Sequence, residues 1–278
     1  MSSKLDTKNI PTWCPGCTNF IILAAAKKAI DSLIKQGFKH EDFAMVTGIG
    51  CHAKIFDYLN ISGIYGLHGR VIPTATGITL GNPNLKVIGF AGDGDTYAEG
   101  MEHFIHAFRH NADFTLVVHD NRTFSLTAGQ TTPTSQLGFK TKTEPLGEFE
   151  FPLNPVKLAL AANASFVARC NARDINHTAE IIERAIKHKG FSFVEVMQDC
   201  IIYNEEADNL DKNMYKVDNK DLSQAWKLVD EFNYNSRKEK IPIGILYEGK
   251  KLSLEEQWPQ LKKLVELGKG WKGLKNLM

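Results

Sequence analysis

An open, doubly wound α/β domain with a mostly parallel sheet, spanning roughly residues 10–200, is the architecture the sequence predicts. Three observations carry it. Short, continuously apolar runs recur along the chain, Phe43-Ala44-Met45-Val46, Lys86-Val87-Ile88-Gly89-Phe90-Ala91 and Phe114-Thr115-Leu116-Val117-Val118-His119 among them. Such runs suit strands buried on both faces rather than one. Helical patterns alternate with them, and each run empties into a polar or glycine-rich loop.

The elements follow in order. Residues 18–36 are Ala-rich and apolar-periodic, with Thr18 as N-cap and Gly37 as stop, so a helix is expected. The 43–46 run ends in Thr47-Gly48-Ile49-Gly50-Cys51 and reads as a strand entering a loop. A helix is expected over 73–82 after Pro73, a strand at 86–91 ending in Gly92-Asp93-Gly94-Asp95, and a helix over 96–110. The 114–119 strand ends in Asp120-Asn121. A strand at 165–168, a helix over 174–189 and a strand at 191–196 repeat the pattern. From about 203 the chain turns polar and charged, and offers a helix near 220–231, a strand at 241–247 and an amphipathic helix near 253–267. Residues 10–204 are therefore read as the binding domain. Residues 205–278 are read as an extension packing on that domain or on a partner.

Composition excludes several classes. The chain has 278 residues, with 33 Lys and Arg against 32 Asp and Glu, and no basic stripe for nucleic acid. No stretch approaches the roughly 20 apolar residues of a membrane span, and Met1-Ser2-Ser3-Lys4-Leu5-Asp6 lacks a signal peptide's apolar segment. A cytoplasmic protein is expected. Its five cysteines, at 14, 17, 51, 170 and 200, are too few and scattered for a disulfide framework, so metal binding or catalysis better suits any cluster among them.

In such sheets ligands bind beyond the carboxyl ends of the strands. The loops at 47–54, 92–96 and 120–127 lie at such ends and should converge on one site. Asp93 and Asn121, 28 positions apart, would offer a carboxylate and an amide oxygen to a hard cation such as Mg²⁺. Gly92 and Gly94 would let backbone amides approach a diphosphate at a helix start. A plain strand-to-helix turn is the simpler account of GDGD by itself; Asn121 at the next strand end favours the metal-diphosphate reading. Cys14-Pro15-Gly16-Cys17 is open to three readings: a redox pair, half of a metal site, or a tight turn. His103, His106 and His110 share a helix face and read as packing or partner-facing imidazoles rather than a metal site.

GDG followed by a spaced Asn resembles the diphosphate motif of thiamine-diphosphate enzymes. The order of Cys14-Pro15-Gly16-Cys17, Gly48-Ile49-Gly50-Cys51, Gly66-Leu67-His68-Gly69-Arg70, Gly92-Asp93-Gly94-Asp95 and Gly129-Gln130-Thr131-Thr132-Pro133-Thr134 is similar to that of the β subunits of 2-oxoacid:ferredoxin oxidoreductases of the pyruvate/2-oxoglutarate type. The resemblance covers about residues 10–204. It implies a thiamine-diphosphate-binding fold carrying thiamine diphosphate, Mg²⁺ and a [4Fe-4S] cluster. It would make Asp93, Asn121 and the Thr123 carbonyl the Mg²⁺ ligands. Ile49, Gly50, Cys51, His52, His68, Gly94, Asp95, Ser125 and Leu126 would line the cofactor, Ser125 standing where a Gly is usual. Cys14, Cys17, Cys51 and Cys200 would hold the cluster, leaving Cys170 a bystander, and Lys54 and His68 would serve at the reacting centre. A Cys₄ zinc site is the competing account of the thiols, though only one CxxC pair is present. Arg70 would pair with phosphate or with a structural carboxylate.

The implied activity is oxidative decarboxylation of a 2-oxoacid with coenzyme A, electrons leaving through the cluster to ferredoxin. The implied partner is an α subunit, which supplies the glutamate that thiamine activation needs. Ala128 stands where many relatives have lysine, and losing that cation removes a partner for a distal carboxylate. A preference for pyruvate-like substrates over 2-oxoglutarate is therefore expected. The rivals are a non-oxidative thiamine-dependent decarboxylase subunit and a non-catalytic scaffold.

Overall fold

The computed structural model describes residues 4–204, 211–235, 239–258 and 260–261. Its helices are α1 (Asn19–Lys35), α2 (Val71–Gly81), α3 (Asp93–Tyr97), α4 (Met101–His110), α5 (Pro155–Ala161), α6 (Ile175–Lys187), α7 (Leu222–Asp230) and α8 (Leu254–Gln257). Its strands are β1 (Phe43–Thr47), β2 (Ser62–Tyr65), β3 (Lys86–Gly92), β4 (Phe114–Asp120), β5 (Phe166–Asn171), β6 (Ser192–Met197), β7 (Met214–Asp218) and β8 (Ile241–Glu248). The strands form one sheet in the order β2-β1-β3-β4-β6-β5-β8-β7. Every pair is parallel except β5 with β8. The expected doubly wound architecture is the observed one.

The apolar runs explain the two faces. Successive strand side chains point to opposite sides, so Ile88 and Phe90 join a core beneath α1 and α6, while Val87 and Ala91 join a second core beneath α2 and α4. Leu116 and Val118 likewise face the second core and Val117 the first. A run apolar at every position is what a sheet covered on both sides requires.

Three departures from the expected elements have physical causes. The helix expected over 96–110 is two helices, broken at residues 98–100. The Arg70 side chain reaches the break: its Nη1 donates to the Glu99 and Gly69 carbonyls, both at 3.2 Å. Arg70 thus serves two backbone carbonyls. Thr18 occupies the N-cap position of α1 without capping it; its hydroxyl donates instead to Gln198 Oε1 at 3.5 Å. Strands β2 and β7 were not expected. All four β2 residues are exposed at the sheet's edge, so burial leaves no apolar signature there.

Strands β7 and β8 come from the stretch beyond residue 205 and hydrogen-bond into the same sheet, β8 directly against β5. Of the helix expected near 253–267, α8 lies among the described residues and most of the remainder lies outside them. Among the described residues no helix is long and apolar enough to cross a membrane.

Candidate active site at the strand carboxyl ends

Sequence order places β2 to one side of β1 and β3 to the other, so the chain reverses direction across the sheet at β1. A crevice opens at such a switch point. Here it is a cavity lined by Ile49–His52, His68, Gly92–Asp95, Asn121 and Thr123–Thr127, together with the buried His119 and Gln198. The three loops expected to converge do so.

Glycine is required at two positions in and beside the cavity. A Cβ on Gly94 would lie 2.2 Å from the Phe124 ring, and one on Gly48 would fall on the Asp95 carboxylate. Only hydrogen fits at either site. The result is bare backbone against the cavity at the start of α3.

Asp93 and Asp95 sit two residues apart on that turn with opposite electrostatics. Asp93 Oδ2 accepts from the Thr132 and Thr134 hydroxyls at 2.6 and 3.3 Å. Burial pushes its carboxyl up to about 6, the Thr132 hydrogen bond opposing. Burial would raise Asp95 too. His52 and His68 outweigh it and hold the carboxyl well below the usual range. His52 Nε2 stands 3.3 Å from Asp95 Oδ2, and His68 Nδ1 stands 3.1 Å from Oδ1. The Gly69 N–H donates to Oδ1 at 2.6 Å. His68 answers in kind: contact with Asp95 raises its own pKa.

The Asn121 loop is self-bonded. Asn121 Oδ1 accepts the Thr123 N–H at 3.1 Å, Asn121 Nδ2 donates to Ser125 Oγ at 2.9 Å, and Ser125 Oγ donates to the Thr123 carbonyl at 3.3 Å. This ring of bonds turns Asn121, Thr123 and Ser125 toward one another at the cavity wall. Leu126 reaches the same wall and is exposed. Lys54 does not line the cavity; its Nζ donates to the Thr12 carbonyl at 3.3 Å.

The CxxC segment lies beside this cavity. Pro15 and Gly16, the latter at φ +86°, form a turn closed by the Cys17 N–H on the Cys14 carbonyl at 3.0 Å. Pro followed by a positive-φ Gly is a type II turn. Trp13 packs edge-on against Tyr58 and Phe20, and its Nε1 donates to the Cys51 carbonyl at 2.7 Å. That bond ties the turn to the glycine loop. Burial pushes the Cys51 thiol up to about 11; Lys54 opposes, while Cys17, Cys200 and Cys14 add to the rise. Burial likewise raises Cys17, with Cys14 and Cys200 adding. The four thiols are therefore electrostatic neighbours, and all five cysteines are free. Cys170 stands apart, buried in the first core. Among the described residues no three His, Cys, Asp or Glu side chains are grouped so as to hold a single metal ion.

Four contributors to the site carried no role in the sequence: Thr132 and Thr134, which grip Asp93, and His119 and Gln198, which line the cavity. His119 read only as the last residue of a strand. Thr132 and Thr134 belong to a motif visible in sequence, but the contact with Asp93 spans 39 and 41 residues and is tertiary.

Relatives define the class. The thiamine pyrophosphate enzyme C-terminal TPP binding domain matches residues 48–196, the stretch holding all three cavity loops. The chain is 40% identical over 262 residues to a 2-oxoacid:ferredoxin oxidoreductase subunit beta of Saccharolobus solfataricus, covering 88% of this chain and 84% of that protein. It is 42% identical over 226 residues to the 2-oxoglutarate synthase subunit KorB of Archaeoglobus fulgidus, covering 79% and 83%. Its fold matches a 2-oxoglutarate:ferredoxin oxidoreductase from Magnetococcus marinus, solved with 2-oxoglutarate, coenzyme A and succinyl-CoA bound. There the TM-score is 0.87 and the identity 31%, covering 96% of this chain and 90% of that one. The chain belongs to the β-subunit family of the 2-oxoacid:ferredoxin oxidoreductases, and so to a thiamine-diphosphate-binding class of enzymes.

Proposed function

We propose that this chain is the cofactor-bearing subunit of a cytoplasmic enzyme that oxidatively decarboxylates a 2-oxoacid. The acyl group passes to coenzyme A and the electrons to ferredoxin. One observation carries the reading: a bare-backbone turn bounded by Asp93 and Asn121 shares a cavity wall with Cys51, which lies among Cys14, Cys17 and Cys200.

The residues fit the implied cofactor. Among the buried polar atoms at the cavity, His119 Nε2 has no partner, and a buried polar group costs about 1–3 kcal/mol when unpaired. Thiamine diphosphate, when bound, supplies the electron sink for loss of CO₂. Asp93, Asn121 and the Thr123 carbonyl would hold Mg²⁺, with Thr132 and Thr134 fixing one Asp93 oxygen so that the other is free for metal. The Gly94 and Asp95 amides would receive the diphosphate. Ile49, Gly50, His52, His68, Ser125 and Leu126 would flank the remainder, with His68 holding a proton at Nδ1 against Asp95. Lys54 would reach a substrate carboxylate only after leaving the Thr12 carbonyl. A [4Fe-4S] cluster on Cys14, Cys17, Cys51 and Cys200 would take electrons a short distance from the cavity, and an α subunit would complete the site.

The cavity presents no lysine or arginine among the described residues, and Ala128, exposed at φ +79°, stands where a lysine would supply one. This supports a pyruvate-like substrate. The Archaeoglobus and Magnetococcus relatives favour 2-oxoglutarate as the second reading. Comparing kcat/KM for both acids on the assembled complex decides between them. Anaerobically purified protein should be brown, with about four irons per chain. Colourless protein holding zinc would falsify the ferredoxin-linked reading.

A further inference from the structure

Residues 200–204 form a closed turn just past β6, tied by its contacts to both parts of the proposed site. The Asn204 N–H donates to the Cys200 carbonyl at 2.8 Å and pinches the turn shut. The Asn204 side chain is buried, and its Nδ2 donates to the Asn121 carbonyl at 3.1 Å. The Tyr203 ring covers Gly129 so closely that a Cβ there would lie 2.7 Å from its Cδ1. Ile201 reaches the other way: its Cδ1 stands over Gly16 of the CxxC turn, 3.7 Å from where a Cβ would be.

Asn121 and Gly129 are the entry and exit of one loop. Its limbs are joined at the Gln130 carbonyl, which accepts from the Phe124 N–H and the Thr123 hydroxyl, both at 2.9 Å. The only regular structure inside it is a single 3₁₀ turn at Ser125–Thr127, so contacts from outside matter to where it sits. Asn121, Thr123, Ser125 and Leu126, which this loop sends to the cavity wall, all lie between the two points the Cys200 turn holds. A donor to the backbone of a ligand-bearing residue orients the ligand.

We propose that the Cys200–Asn204 turn is a strap coupling the thiol group to the cofactor loop, with Asn204 as its positioning residue: the side-chain amide sets the Asn121 backbone while the N–H closes the turn that carries Cys200. This rests on the reading above of Cys200 as a cluster ligand and Asn121 as a metal ligand. An element shared by two sites couples them reciprocally. With thiamine diphosphate and Mg²⁺ against the loop the turn is held on two sides, and iron on the thiols leaves more slowly.

The test uses the assembled complex, purified anaerobically, with iron release to a ferrous chelator timed with and without saturating thiamine diphosphate and Mg²⁺. In the parent protein the cofactor should slow release about fivefold or more. Asn204→Asp is isosteric and keeps the backbone bond to Cys200, but a carboxylate cannot donate to a carbonyl. It should weaken Mg²⁺ binding about tenfold in the cofactor titration and bring the two release rates together. A general loosening of the fold would instead speed release in both states alike. Tyr203→Ala, at an exposed side chain, frees Gly129 while leaving Asn204 in place, and should shrink the cofactor's effect on release. If Asn204→Asp fails to hold iron, Tyr203→Ala decides. Equal release rates in the parent, or an undiminished cofactor effect in the deciding variant, overturn the strap and leave the proposed function standing. A parent complex without iron overturns the cluster reading and the strap with it.

Discussion

Two buried charge clusters in this chain are treated in opposite ways. Between β5, β6 and the segment leading to β8, Arg169 is fully buried, with Nε donating to Glu195 Oε2 at 2.7 Å and Nη2 to the Tyr234 hydroxyl at 2.7 Å. The Tyr234 hydroxyl donates to Glu195 at 2.6 Å, and the Phe232 ring lies 5.3 Å from the guanidinium. At the cavity, His119 is just as buried beside His52 and Asp95, yet its Nε2 has no partner. Desolvated charge is expensive unless its bonding capacity is filled. The first cluster fills its capacity internally and is structural. The second leaves capacity for a ligand, which is how a site differs from a core polar network.

Breaking the closed cluster gives the largest expected effect. Glu195→Ala leaves Arg169 uncompensated and should cost about 3–5 kcal/mol by denaturant unfolding, with little change in cofactor affinity per folded molecule. In the open cluster the order reverses. Thr132→Val removes a donor to the Asp93 carboxylate, a bond worth about 1.5–3 kcal/mol. The loss should appear in titrations of thiamine diphosphate with Mg²⁺, and an unchanged affinity would separate Thr132 from the site.

A surface cap calibrates both. Asp174 accepts the His177 N–H at 3.0 Å at the start of α6. Asp174→Ala should cost about 1 kcal/mol in stability and nothing in cofactor affinity.

The smallest expected effect is a pH slope. Contact with Asp95 raises His68, so its stabilising contribution is fully present below its unfolded value near 6.5 and is lost as pH rises through the raised folded value. Because the side chain is one-third exposed, solvent reduces the size of that loss. His68→Gln should flatten the decline of Tm across that range; a parallel decline in both proteins would remove His68 from the pair.

How much was legible in sequence follows the same division. Strands β1, β3, β4 and β6 are apolar because both faces are covered, and their boundaries were readable to within a residue or two. Strand β7, Met-Tyr-Lys-Val-Asp, is half-buried, and nothing in its pattern separates it from a loop. Helix α5 carried its own signals, Asn154 accepting from the Lys157 N–H and Pro155 at the first turn, but its seven residues are too few to show a period. The convergence of the loops at 47–54, 92–96 and 120–127 was readable because loops at parallel strand ends share one crevice; the individual residues Ile49, Gly50, Cys51, His52, Gly94, Asp95, Ser125 and Leu126 came from the family resemblance, not from the strand pattern. The Arg169–Glu195–Tyr234 cluster was not readable, since no local pattern marks a charge whose partner is distant in the chain.

That distance has a kinetic consequence. The bonds of the closed cluster join residues 26, 39 and 65 positions apart, across strands that also need α6 in place between them. Such contacts form only after the intervening segments have been gathered in, so they are absent from an early folding nucleus. Interactions made that late leave the folding rate almost untouched and slow escape from the native state. The cluster is therefore a brake on unfolding, lengthening the lifetime of the native chain.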